Sequence, residues 1–130
     1  MTRALPFLMF EGRAQEAMDF YTSLFADGEI LETKRYGPEG PGPEGSIVTA
    51  RFRVAGQEVM CSDSPVSHDF TFTPSISLFV TVDSEDEIRR LAAALDAGEK
   101  PFMPLNNYGF STLFAWVQDR FGVSWQIMLP

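Results

Sequence analysis

Residues 5–10 (LPFLMF) form a short apolar run, the pattern of a buried strand. Beyond Gly12 the period becomes that of a helix. Ala14, Ala17, Met18, Tyr21, Leu24 and Phe25 recur every three or four residues, while Arg13, Gln15, Glu16, Asp19 and Thr22 take the opposite side. This spacing predicts an amphipathic helix lying on a sheet and stopped by Gly28, with residues 29–36 following as a strand of mixed polarity. Residues 37–45 (GPEGPGPEG) hold three prolines and four glycines, which sustain neither helix nor ladder and make a connecting loop. Val48, Ala50, Phe52 and Val54 then alternate with Thr49, Arg51 and Arg53, the period of a strand with one dry and one wet face. Ala55-Gly56 turns that strand into a hairpin with residues 57–61.

After a polar stretch holding Pro65 and Pro74, the same order begins again. Residues 75–82 (SISLFVTV) read as a strand, and Ser84 with Glu87 three places on is a capping box. Ile88, Leu91, Ala92 and Leu95 follow at helical spacing, and Gly98 supplies the stop. Residues 100–105, 111–118 and 124–128 are three further strands, the last two joined by Asp119-Arg120-Phe121-Gly122. Equivalent landmarks keep similar offsets, Phe7 to Phe79 by 72 positions and Gly56 to Gly122 by 66. The prediction is one α+β domain over residues 1–130, made of βαβββ modules at 5–61 and 75–128 with a linker at 62–74.

Charge narrows the partners. The 130 residues include 10 Lys and Arg against 18 Asp and Glu, a net charge of −8, and no basic cluster breaks the balance locally. Nucleic acid and anionic membrane are therefore not expected as partners. The opening apolar run is too short to span a bilayer and lacks the layout of a secretory signal, which together with a lone cysteine predicts a cytoplasmic protein.

Motifs of obvious chemistry are few. In the loop at 37–45 the prolines have no N–H to donate, Glu39 and Glu44 repel an anion, and no Lys-Ser/Thr follows, so it reads as a lid or connector and not as a phosphate cradle. His68 is the single histidine, which excludes a site needing two imidazoles from one chain. A relay of Ser64 or Ser67, His68 and Asp69 would require neighbours on one loop to converge, and a solvated or dimer-contact histidine is expected instead. Cys61, in an apolar strand beside Val59, reads as a buried inert thiol.

Residues 115–128 (AWVQDRFGVSWQIM), 20–25 (FYTSLF) and 75–80 (SISLFV) resemble the PhnB-like branch of the vicinal oxygen chelate superfamily, and the likeness runs from Leu5 to the C-terminus. This superfamily takes in glyoxalase, bleomycin-resistance proteins and extradiol dioxygenases, and members of the branch are often labelled demethylubiquinone methyltransferase-like. The resemblance implies that each module curls into a mostly antiparallel half-barrel sheet with its helix outside. It also implies a position for one divalent metal, held in catalytic members by His, Gln or Glu on the first and last strands of both modules. Matching the family's ending places one ligand position on Gln126 and, through the 66-residue offset, another on Met60. The remaining two fall near Phe7 and near residues 75–77. Phe, Met, Ser and Gln give neither negative charge nor imidazole, so no metal and no cofactor are expected.

Strand alternation then populates the expected cavity. Ser124 and Met128 share a face with Gln126, Glu58 with Met60, Ser77 with Phe79, and Phe7 with Met9, while Trp125 and Ile127 point to the helix layer. With Trp116 added, the candidate ligand-binding set is Phe7, Met9, Glu58, Met60, Ser77, Phe79, Trp116 and Gln126, an apolar and aromatic lining in which Gln126 and Glu58 orient a ligand's polar end. The function expected is metal-independent binding of a small organic molecule. A homodimer is expected as well, because open sheets leave apolar rims and superfamily members of this length usually pair. The alternatives are a metal-dependent lyase or dioxygenase, for which the ligands are missing, and the methyltransferase of the family label, for which no glycine-rich strand-to-helix turn is present to hold a sulfonium cofactor. A dimer whose core is simply filled is the structural alternative.

Overall fold

Every apolar run read as a strand finds a hydrogen-bonded partner, and the order of elements repeats. A computed structural model describes residues 1–130. β1 (Phe7–Phe10), α1 (Ala14–Leu24), β2 (Glu29–Arg35), β3 (Ile47–Val54) and β4 (Gln57–Asp63) are followed by β5 (Ser77–Thr81), α2 (Glu85–Leu95), β6 (Met103–Asn106), β7 (Leu113–Gln118) and β8 (Ser124–Leu129). These fall in two compact units, Met1–Asp69 and Phe70–Pro130. Each holds one four-stranded sheet, ordered β1-β4-β3-β2 in the first and β5-β8-β7-β6 in the second. The first strand of each unit lies parallel to the last, and the other pairings are antiparallel. The fold is thus α+β with the βαβββ order twice. Neither helix is long and apolar enough to cross a membrane.

In the first unit α1 covers one face of the sheet, burying Ala14, Ala17, Met18, Tyr21 and Leu24. Tyr21 stacks on Phe52 with ring centroids 6.0 Å apart, and Ile47, Val59 and Cys61 complete the fully buried set. The helix has no capping side chain of its own at Arg13. Asp63 replaces it from the end of β4. Its buried carboxylate accepts N–H bonds from Gly12 and Ala14 at 2.9 Å and from Ile47 at 3.0 Å, joining the start of α1 to the start of β3. In the second unit Ile88, Leu91, Ala92 and Leu95 pack beneath α2 while Trp125 and Ile127 are fully buried from β8. The predicted cap is present, with Ser84 Oγ accepting from Glu87 N at 3.2 Å. A second buried carboxylate, Asp119, ties the β7–β8 turn by accepting from Phe121 N, Val123 N and Trp125 Nε1.

Several boundaries move, each for a physical reason. β4 continues through Ser62 and Asp63, which the sequence reading gave to the linker, because Asp63 is a structural residue and not a loop residue. β1 starts at Phe7 and not at Leu5. Pro6 has no N–H for the ladder, though its carbonyl still accepts from Met60 N at 2.9 Å. β5 starts at Ser77 and not at Ser75, and β6 starts at Met103, beyond Pro101, as an edge strand that tolerates Pro104. α1 ends at Leu24, ahead of Gly28. A Cβ at Gly28 would sit 1.9 Å from the Thr22 carbonyl oxygen, so this glycine is demanded by a close approach. In β3, Arg35 pairs with Ile47 and Lys34 with Thr49, leaving Val48 as an extra residue, so that Ile47 and not Val48 enters the core. The loop at 37–45 is a connector that folds against the Tyr36 ring, which lies 2.9 Å from where a Cβ on Gly42 would be.

Candidate functional site

Strand register shows which candidate side chains are neighbours. On the first sheet Phe7 is opposite Met60, and Met60 is opposite Arg51. On the second sheet Phe79 is opposite Gln126, and Gln126 is opposite Trp116. These two rows occupy equivalent places in their units, which confirms Met60 and Gln126 as counterparts. It also moves the implied ligand position near residues 75–77 to Phe79, the residue that the 72-position offset pairs with Phe7. Within each unit, Val59, Cys61, Trp125 and Ile127 are fully buried while Met60 and Gln126 are not, so both rows lie on the sheet face turned away from the helix.

The second unit's helix-free face carries aromatic and polar side chains. Ser77 and Phe79 from β5, Phe114 and Trp116 from β7, and Ser124, Gln126 and Met128 from β8 share it by register. Phe114 meets Phe110 at 5.0 Å and Phe79 at 6.3 Å between ring centroids, and Phe102 lies 4.9 Å from Trp116. Phe79, Phe102 and Phe110 are open, to 55%, 43% and 60%, whereas Phe114 is buried at 4%. Beneath them runs a chain of hydrogen bonds. Trp116 Nε1, which can only donate, reaches Ser124 Oγ at 2.8 Å, Ser124 Oγ and Ser77 Oγ are 2.7 Å apart, and Gln126 Nε2 donates to Ser77 Oγ at 3.1 Å.

Counting protons along this chain orients it. Ser124 is only 1% exposed, so its hydroxyl hydrogen needs a protein acceptor, and Ser77 Oγ is the one within reach. On this count Ser77 Oγ accepts from both Ser124 and Gln126, and its own hydrogen is not spent within the chain of bonds. Gln126 spends one N–H on Ser77, while its Oε1 takes no bond from the protein. A hydroxyl donor and an amide acceptor thus stand side by side between Phe79 and Trp116.

The first unit's face is unlike the expectation. Phe7 is half exposed and Met9 shares its face, but Glu58 is not a free acceptor. Its Oε1 receives Arg51 Nη1 at 2.7 Å and Arg3 Nη2 at 3.3 Å. Arg51 Nη2 reaches Glu32 Oε2 at 3.4 Å, and Arg53 Nη2 reaches Glu29 Oε2 at 2.8 Å. The bond from Arg51 holds the Glu58 carboxyl below its ordinary range, against a partial desolvation, and Arg3 adds to the effect. Glu58 thus belongs to an ion-pair row on the first sheet and Gln126 to a neutral network on the second. The reading of this face as apolar is corrected, because the Arg51 and Arg53 side of β3, taken as solvated, is also the side that carries Met60 and Glu58.

The metal positions implied by the resemblance carry Phe7, Met60, Phe79 and Gln126, one neutral oxygen in total, and no three His, Cys, Asp or Glu side chains gather anywhere to hold an ion. This donor set does not fit a divalent cation. Asp63 is used up by three backbone N–H groups. Ser64 Oγ and His68 Nε2 are 2.8 Å apart, but the same Oγ is engaged in a local turn with Val66. Cys61 is fully buried, and burial, aided by Asp63, pushes its thiol up to about 12, which suits an inert core residue. Among residues the sequence reading passed over, Phe114 was accessible from its two-residue spacing to Trp116. Phe102, Tyr108 and Phe110 lie outside strands, where alternation says nothing.

The sequence profile of the family described as 3-demethylubiquinone-9 3-methyltransferase matches residues 2–128. A putative 3-demethylubiquinone-9 3-methyltransferase, PhnB protein, from Bacillus cereus is 50% identical, with 99% of this chain and 100% of that chain covered and a TM-score of 0.93. Protein YjdN of Escherichia coli K12 is 26% identical over 136 residues, covering 94% of this chain and 91% of YjdN. A glyoxylase/bleomycin resistance protein/dioxygenase domain from Frankia sp. EAN1pec shares the fold alone, at 14% identity and a TM-score of 0.67, with 99% and 92% of the two chains covered.

Proposed function

Because the chain belongs to the 3-demethylubiquinone-9 3-methyltransferase family, in its PhnB-like part, and has the fold of the glyoxalase/bleomycin resistance/dioxygenase superfamily, we propose that it binds a small organic molecule without a metal. The observation that carries the reading is the pairing of a spare Ser77 hydroxyl with the unbonded Oε1 of Gln126 among exposed aromatic rings. A stabilising core avoids leaving such groups half-used. The face has no ionisable side chain among Ser77, Phe79, Thr81, Phe114, Trp116, Gln118, Ser124, Gln126 and Met128, so a charged ligand would be uncompensated there. The ligand is an uncharged planar compound bearing a group that both donates and accepts, such as a ring hydroxyl or an amide. Phe7, Met9 and Met60 belong to the proposal as apolar contacts on the first unit's own face.

The family's name asks for a methyl donor, yet neither strand-to-helix turn is glycine-rich: Glu11-Gly12-Arg13 follows β1, and Val82-Asp83-Ser84 follows β5. Binding is therefore the better-supported reading. We place the protein in the cytoplasm as a homodimer, in which a second copy covers apolar groups such as Ile76, left 72% exposed. The test is mass spectrometry of compounds released from natively purified protein, repeated on Gln126→Leu. One compound near stoichiometric amount in the wild type and depleted in the variant is expected, with stability changed by less than about 1 kcal/mol. A marked destabilisation with the compound retained would make Gln126 structural. A wild type that releases nothing would favour a filled core.

A further inference from the structure

The first unit carries a cleft of about 300 Å³ lined by Arg3, Leu5, Glu32, Thr49, Arg51 and Met60. One oxygen of Glu58 receives both Arg51 and Arg3, so two guanidinium groups are drawn toward the same place. The two carboxylates near Arg51 are not alike. Glu58 is 29% exposed and bonded at 2.7 Å, whereas Glu32 is 70% exposed and touches Arg51 through one oxygen at 3.4 Å. Each guanidinium has five N–H groups, and these contacts leave both with donors to spare.

We propose that this cleft binds the carboxylate of a small organic acid, with Arg51 as its forked donor and Glu32 as the group that gives way. The charges set the valence. With Glu32 withdrawn, Arg3 and Arg51 against Glu58 leave a single positive charge, which one carboxylate neutralises and a phosphate dianion exceeds. The chain's net charge of −8 disfavours the dianion further. The planar fork of Arg51 matches a carboxylate edge to edge. Leu5 and Met60 meet the acid's apolar part, and Glu58 is a positioning residue that holds Arg51 at a fixed angle. The cleft is built from residues of the first unit, Met60 among them.

The probe is benzoate, titrated at low ionic strength while the Arg Nε–H resonances and backbone amides are followed by NMR. A saturable shift of Arg51 Nε–H and of the Met60 amide is expected. Arg51→Gln should weaken binding about tenfold or more, and Arg3→Gln, which leaves the sheet untouched, should weaken it severalfold. Glu32→Gln removes the internal competitor and should tighten binding severalfold. Glu29→Gln removes the same charge beside Arg53 and should change it little. Equal effects of the two Glu variants would reduce the attraction to general charge and overturn the site. Tighter binding of inorganic phosphate at the same resonances would overturn the carboxylate assignment, and no saturation at tens of millimolar benzoate would overturn the proposal.

Discussion

Removing the Asp63 carboxylate tests the physical account of the first unit. Oδ1 accepts from Gly12 N and Ala14 N, and Oδ2 accepts from Ile47 N. Gly12 is exposed, so water replaces its bond in an alanine variant, but Ala14 and Ile47 are fully buried and their N–H groups would be left without partners. At about 1–3 kcal/mol for each orphaned buried donor, Asp63→Ala should cost about 3–5 kcal/mol, a large share of the ~5–15 kcal/mol that holds a typical domain. Asp63→Asn separates the two oxygens. The amide oxygen still serves Gly12 and Ala14, while its NH2 faces the Ile47 N–H, donor against donor, for a loss of about 2–3 kcal/mol. Urea unfolding followed by far-UV circular dichroism reads both values. The predicted order of stability is wild type, then Asn, then Ala. An alanine variant within about 1 kcal/mol of wild type would show that water satisfies these groups and that Asp63 is not the link between α1 and β3.

Four further outcomes follow from the same geometry. Cys61, with its thiol pushed up to about 12, should react with a thiol reagent at pH 8 roughly a thousandfold more slowly than an ordinary cysteine, and rapid labelling of folded protein would refute its burial. Ser77→Ala removes the acceptor of the buried Ser124 hydroxyl and should cost about 1–2 kcal/mol in thermal unfolding, whereas no loss would mean the hydroxyl order is reversed. Glu58 has a folded-state pKa below its ordinary value, so its contribution is present above about pH 4.5 and is lost as the pH falls; the stability gap between wild type and Glu58→Gln should shrink in acid, and a widening gap would contradict the pairing with Arg51. Light scattering should return twice the chain mass at micromolar concentration, and a monomer would remove the homodimer.

How much of this was legible along the chain follows from the range of each force. Periodicity is a local signal, so the helices under Ala14 to Leu24 and Ile88 to Leu95, the strand order and its repetition were all determined by the sequence itself. The faces of β4 and β8 were determined too, because alternation needs no knowledge of the partner strand, and the equivalence of Met60 and Gln126 in their own units followed from the offset. Partnership across the chain is another matter. Only tertiary structure decided that Asp63 caps a helix about fifty residues earlier, that the solvated arginines of β3 flank Met60, and that Glu58 spends its charge on Arg51 and Arg3. Likewise the chain from Trp116 through Ser124 and Ser77 to Gln126 joins three strands, and a hydrogen bond depends on distance in space, which strand register sets and residue order does not.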